Sequence, residues 1–143
     1  MRQVKDGFLL VRAGHRRVGL ELSHVVEVTQ LGSVHPVPSL EPCVRGVAAV
    51  HGKMVPVIHL GALLEGAACP ASTTEVGVLV SIAGRRICLE VDDAELLVQD
   101  RGLPVREGTT LLWAVGVARY ADGLVPLLDV QALSSRFMEA EPI

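Results

Sequence analysis

Residues 54–64 read MVPVIHLGALL, and residues 124–134 read LVPLLDVQALS. Each opens on an apolar run broken only by a proline and closes on a short helically spaced pattern. Gly46-Val47-Ala48 leads into the first copy and Gly116-Val117-Ala118 into the second, at the same offset of 70 residues. A further window repeats at an offset of 69: Leu9–Glu21 lies over Val78–Glu90, with identities at Leu10, Val11, Arg16, Arg17, Leu20 and Glu21. Two windows that agree within one residue mark an internal duplication.

The spacing between these landmarks predicts β structure. Short β-branched runs punctuated by turn residues dominate, and few windows sustain a helical period beyond about two turns. Strands are expected at Phe8–Ala13, Arg17–Leu22, Glu27–Leu31, Val44–Val50 and Met54–Ile58, then at Val76–Ile82, Arg86–Val91, Leu96–Gln99, Leu112–Tyr120 and Leu124–Leu128. Gly14-His15, His51-Gly52-Lys53, Ala83-Gly84 and Asp122-Gly123 fall between consecutive strands, where glycine permits the positive φ of a tight hairpin. The small, polar, proline-interrupted stretch 65–74, EGAACPASTT, reads as a linker. Residues 100–110 form a second, charged loop.

A period near 70 suits a five-stranded, SH3-like barrel. The chain is therefore expected to be all-β, with two such barrel subdomains and short helices sharing one domain over 1–143. The first barrel spans about 14–64 and the second about 75–138, joined by the N-terminal strand 8–13. A single larger β-sandwich is the alternative. Closing the sheets removes exposed edges.

At 143 residues and 15.2 kDa the chain has the size of one domain. No uncharged apolar run approaches the roughly 20 residues that cross a bilayer, and MRQVKDG lacks a signal-peptide core, so a cytoplasmic location is expected. A net charge of −3, a pI near 5.9 and four aromatic residues argue against a nucleic-acid surface. Cys43, Cys69 and Cys88 are odd in number and lack any Cys-x-x-Cys spacing, which argues against a disulfide framework and a zinc ribbon. No metal, cofactor or catalytic residue is expected: no nucleophile elbow or phosphate-cradling glycine loop occurs, and adjacent Asp92 and Asp93 would point to opposite faces of a strand.

The order of several motifs resembles the CheW-like family, the adaptor fold of bacterial chemosensory arrays. The matching pieces are Val26-Glu27-Val28 after Leu22–Val25, then Val37-Pro38, Arg45-Gly46-Val47 and Gly52–Ile58. The second half adds Gly84–Asp92, Gly116-Val117-Ala118 and Leu127-Leu128-Asp129. Each is weak alone; in order, from Phe8 to Phe137, they are specific. The resemblance implies a non-enzymatic coupler with an apolar seam between two barrels. One of its surfaces would hold the regulatory domain of a CheA-type histidine kinase and another the cytoplasmic tip of a chemoreceptor. The family usually reads Ile-Asn-Leu-Arg-Gly before the hairpin turn, where this chain has Ala48-Ala49-Val50-His51-Gly52. A permanently charged, forked donor is replaced by an imidazole. That exchange also admits an accessory variant that binds a receptor or another regulator but not the kinase.

Candidate partner-binding residues are Val25, Val26, Glu27 and Val28, together with Arg45, Gly46, Val47, Val50, His51 and Gly52. Strand alternation is expected to turn Glu27 outward, opposite to Val26 and Val28. Arg45 is the arginine best placed for a partner, whereas Arg16-Arg17 and Arg85-Arg86 read as solubilising turn flanks. Asp129 precedes a short helical pattern as a good N-cap. His59 holds the matching place as a weaker cap, so aspartate at 59 is expected to gain about 0.5–1 kcal/mol.

Overall fold

In the computed structural model, which describes residues 7–39, 41–98, 103–104, 114–120 and 123–133, two-residue turns set the architecture. β1 (Phe8–Ala13) returns as β2 (Arg16–Glu21), and a 3-10 turn (Leu22–His24) leads to β3 (Val25–Gln30) and β4 (Val34–His35). β5 (Val44–Val50) returns as β6 (Lys53–His59), which runs directly into α1 (Leu60–Glu65). β7 (Val76–Ile82), β8 (Arg85–Val91) and β9 (Asp93–Val98) follow, then β10 (Leu103–Pro104), β11 (Ala114–Tyr120) and β12 (Gly123–Leu128).

His51 and Gly52 have φ of 52° and 78°, and Ala83 and Gly84 of 53° and 81°. Two successive left-handed residues give a turn whose twist matches that of the strands it joins. All ten expected strands are present in their described parts, with small shifts at the ends. Leu112, Gln99, Asp122 and most of the 100–110 loop lie outside the described residues. β4 and β10 are additional. Each is two residues long and ends at or just before a proline, which cannot donate to a ladder.

One sheet has the order β10-β11-β12-β2-β1-β9 and the other β3-β7-β8-β6-β5-β4. The all-β class with short helices holds, but neither sheet is one half of the chain. The sequence places β2 with the first barrel and β7–β8 with the second. In the sheets, β1–β2 lie beside β12 and β9, and β7–β8 lie between β3 and β6. The hairpins are exchanged. Two parallel pairings seal the exchange at equivalent positions: β12 meets β2 with Leu127 opposite Gly19, and β6 meets β8 with Val57 opposite Cys88.

The larger core cluster is the seam between the sheets. Leu9, Val11 and Leu20 from the first hairpin meet Val78, Val80 and Leu89 from the exchanged one, with Ile58, Leu60, Leu128 and Leu133 filling in. A smaller cluster of Leu31, Ala48, Val50, Val55, Val57, Leu79 and Cys88 lies on the other face of the second sheet. Each such side chain removed from water contributes about 1.5–3 kcal/mol. The two repeats divide volume differently: a Cβ on Gly19 would fall 2.7 Å from the Phe8 ring, and one on Gly77 would fall 2.5 Å from the Cys88 sulfur. Phe8 over Gly19 in one copy thus becomes Gly77 over Cys88 in the other.

Candidate functional site

β3 is an edge strand, and its exposure alternates strictly. Val26 and Val28 are 43% and 48% exposed, while Val25 and Glu27 turn to the half-buried side. The expected orientation is therefore inverted: the valines face solvent. A register shift between Val25 and Glu27 in the pairing with β7 leaves Val26 without an opposite number, and such a bulge re-aims side chains locally.

Glu27 does not stand free on its side. Its carboxylate oxygen Oε1 contacts Nε2 of His51 at the tip of the β5–β6 hairpin. The sequence offers both residues as candidates without pairing them, because they lie 24 positions apart. The contact also shows how the sheet curls, since β3 is one edge of it and β5 lies next to the other. Half of the sequence-derived candidates thus converge here: Val26, Glu27, Val28, His51 and Gly52. Val47 is half-buried on β5 opposite Pro56, in line with the cross-strand pair of exposed Ala49 and Met54.

Val25 packs half-buried against the larger cluster, and Val50, Gly46 and Arg45 are occupied internally. Val50 is buried in the smaller cluster. Gly46 is buried at φ 149°, and a Cβ there would fall 2.1 Å from the carbonyl oxygen of His35. Its lack of a side chain lets the β4 backbone approach. Arg45 forms a two-pronged ion pair with fully buried Glu90, through Nε to Oε1 and through Nη2 to Oε2 at 3.3 Å. It also donates to the carbonyls of Pro70 at 2.8 Å and Ser72 at 3.3 Å. The Thr74 amide donates to Oε2 of Glu90 at 2.9 Å, and the Cys69 amide to the Pro42 carbonyl at 3.0 Å. The 65–74 stretch is strapped down by these contacts. The signal that could have found Glu90 is in the repeat: Leu-Glu occurs within an apolar run in both copies, and both Glu21 and Glu90 are buried.

His59 caps α1, with Nδ1 accepting from the Ala62 amide at 2.9 Å; Oδ1 of Asp129 accepts from Ala132 at 3.1 Å in the second copy. His59 is buried, however, and its register partner on β8 is Glu90. A carboxylate there would be desolvated next to another, so the gain expected for aspartate at 59 does not carry over. The turn arginines Arg16, Arg17, Arg85 and Arg86 are all exposed, and Arg17 pairs with Glu95 at 3.0 Å.

Burial, reinforced by the Glu90 carboxylate, pushes the Cys88 thiol up to about 12 from an ordinary value of 9.0. The folded protein then keeps this proton while the unfolded chain releases it. Stability from this group is fully present below pH 9.0 and falls as pH rises toward about 12. Within that window the loss steepens toward about 1.4 kcal/mol per pH unit. Urea unfolding midpoints measured against pH should show this alkaline limb, and it should flatten in Cys88→Ala; an equal slope in both proteins would assign it to other groups.

Among the described residues no helix is long and apolar enough to cross a membrane, and no three His, Cys, Asp or Glu side chains converge to hold a metal ion. The model of the CheW-like domain matches residues 7–137. The chain belongs to the CheW-like family. A comparison with curated proteins gives no match. Among solved structures, the chain is similar to the scaffolding protein TtCheW from Thermoanaerobacter tengcongensis. That match has a TM-score of 0.75 and 20% identity, and covers 87% of this chain and 88% of that one. At that identity the likeness shows a shared fold alone. Membership supports a coarse role as an adaptor or scaffold in chemosensory signalling.

Proposed function

We propose that this CheW-like chain is a non-enzymatic adaptor that couples a chemoreceptor to a CheA-type histidine kinase. It would hold the kinase regulatory domain on one surface and the cytoplasmic receptor tip on another, and be recruited to receptor arrays in the cytoplasm. The observation that carries this reading is the family match across nearly the whole chain. The edge strand β3 favours one surface in particular: Val26 and Val28 are large, apolar and exposed on it, with the Glu27–His51 contact between them and the β5–β6 tip.

Val26, Glu27, Val28, Val47, His51 and Gly52 are the residues assigned to partner contact, with Val25 packed against the larger core cluster beneath them. Arg45, Gly46 and Val50 act through position, since each is held inside the fold. Coupling of this kind is geometric: a rigid adaptor transmits receptor state through how the kinase domain is held, and about 1–3 kcal/mol of coupling suffices.

The test is binding of a CheA regulatory domain and of a receptor-tip fragment to the full chain and to Val26→Asp/Val28→Asp. Exposed positions tolerate these changes, so the melting temperature should hold while affinity for one partner falls at least about tenfold, or 1.4 kcal/mol. Wild-type protein that binds neither partner would remove the reading. Binding to the receptor fragment alone would favour the accessory variant, which the histidine at position 51 specifically suggests.

A further inference from the structure

We propose that Cys43 and Cys69 are an oxidisable pair, a modification site at which a peroxide joins the 65–74 stretch to the residue before β5 through a disulfide. Both are thiols in this structure. Nothing in the pairing requires a kinase or a receptor.

The backbone brings the two residues together. The Cys69 amide donates to the carbonyl of Pro42, the residue before Cys43, at 3.0 Å. Bond lengths on either side of that hydrogen bond hold the two Cα atoms within about 7 Å of each other. Disulfides usually join Cα atoms about 4.4–6.8 Å apart, so the main chain already has a bridgeable separation. A second contact places the sulfur: the His59 amide donates to the Cys43 carbonyl at 2.8 Å and also hydrogen-bonds the Cys69 thiol. Both cysteines therefore meet the same N–H at the end of β6.

Their surroundings assign them different parts. Cys69 is half-buried, within reach of solvent, and next to Pro70, whose carbonyl Arg45 holds at 2.8 Å. Cys43 is buried in the larger cluster, so it meets an oxidant through Cys69. Burial pushes the Cys69 thiol up from its ordinary value of 9.0; the Arg45 guanidinium opposes the rise, the Glu90 carboxylate adds to it, and the amides of His59 and of Cys69 itself oppose it. The thiolate is the reactive form, so attack is slow at neutral pH and the pair answers sustained oxidant rather than a brief pulse. Cys88 belongs to the smaller cluster, on the other face of the second sheet.

With hydrogen peroxide the steps balance. The Cys69 thiolate attacks one oxygen, the O–O bond breaks, water leaves, and the sulfur becomes a sulfenic acid. The Cys43 sulfur then attacks that of Cys69: the S–S bond forms, the S–O bond breaks, and a second water carries off the proton. Two thiols give up two electrons, and the peroxide is reduced to water. The 65–74 stretch, held until then by hydrogen bonds, gains a covalent tether to the base of the β5–β6 hairpin.

The test treats the reduced full chain with hydrogen peroxide, then unfolds, alkylates and digests it with trypsin for mass spectrometry. Arg45, Lys53, Arg85 and Arg86 put the three cysteines on separate peptides. The expected product is one linked pair, Cys43 with Cys69 of the same chain, with Cys88 alkylated and the link undone by a thiol reductant. Sulfinic or sulfonic Cys69 beside alkylated Cys43 would overturn the proposal, as would links to Cys88 or between chains in equal yield. In Cys43→Ala the sulfenic acid of Cys69 should persist and take up a 1,3-dione probe, and labelling no greater than in wild type refutes the part given to Cys43. Peroxide should slow proteolysis within 65–74 about tenfold in wild type and leave Cys69→Ser unchanged; equal protection in both proteins would place the effect elsewhere.

Discussion

Arg45→Ala is expected to lose about 3–5 kcal/mol of folding stability, because it leaves the Glu90 carboxylate charged and fully buried without its countercharge. Small domains have about 5–15 kcal/mol in total, so the loss approaches the margin for staying folded. Glu90→Gln should cost a similar amount from the other side, stranding the guanidinium. The two sets of hydrogen bonds make the losses overlap: an Arg45→Met/Glu90→Leu double variant, apolar on both sides, should be far more stable than the sum of the single losses implies. Urea titration of the four proteins measures this directly. If Arg45→Ala costs less than about 1 kcal/mol, the value of an exposed pair, the site is wetter than its burial indicates.

The same variant should loosen the 65–74 stretch. Arg45 is the side chain that holds the carbonyls of Pro70 and Ser72, while Glu90 holds the Thr74 amide. Limited proteolysis should then cut wild type slowly in this stretch and the variant quickly.

Gly46→Ala is the second large effect. The position is left-handed, and the new Cβ would meet backbone on three counts: the His35 oxygen at 2.1 Å, the His35 carbonyl carbon at 2.7 Å and the Pro36 Cα at 3.0 Å. No side-chain rotation relieves a clash with backbone, so β4 must detach from β5 or the strand must distort. Backbone strain and overpacking each cost about 1–3 kcal/mol, which puts the loss near 3 kcal/mol or above. Gly52→Ala makes a useful contrast, since a Cβ there meets nothing within 4 Å and only the conformational penalty remains. Thermal unfolding of the pair separates crowding from φ; equal losses would show that the His35 contact is yielding.

Much of the architecture was legible because it rests on local rules. Glycine at Gly14, Gly52 and Gly84 and alternation in the flanking runs located three hairpins. The repeat offsets related one copy to the other, and the ordered motifs from Phe8 to Phe137 pointed to the family that the 7–137 match establishes. Pairing between distant strands was not legible. An offset of 69 says that Leu9–Glu21 resembles Val78–Glu90; it does not say which sheet either joins. Likeness and adjacency are separate facts.

The site was legible to a similar depth. Periodicity put Val26 and Val28 on one side of β3 and Glu27 on the other, but which side faces water depends on how the strand meets β7, and a register shift lies there. Arg45 resembled an arginine at the start of a strand, available to a partner. Its acceptor lies 45 residues on, and no local pattern connects the two. His51 was visible as a departure from the family, while its contact with Glu27 needed the curl of the sheet.

The exchanged hairpins bear on the order in which the protein can assemble. β2 completes its parallel pairing with β12, joining Gly19 to Leu127 across a long stretch of chain. β2 therefore waits on the ribosome for a strand synthesised 108 residues later. No half of the chain can finish its own sheet during synthesis, and contacts so distant in sequence form slowly. A nascent chain stalled after α1 would still present β1 and β2 with an unsatisfied edge, a liability that the exposed arginines at Arg16 and Arg17 are well suited to restrain.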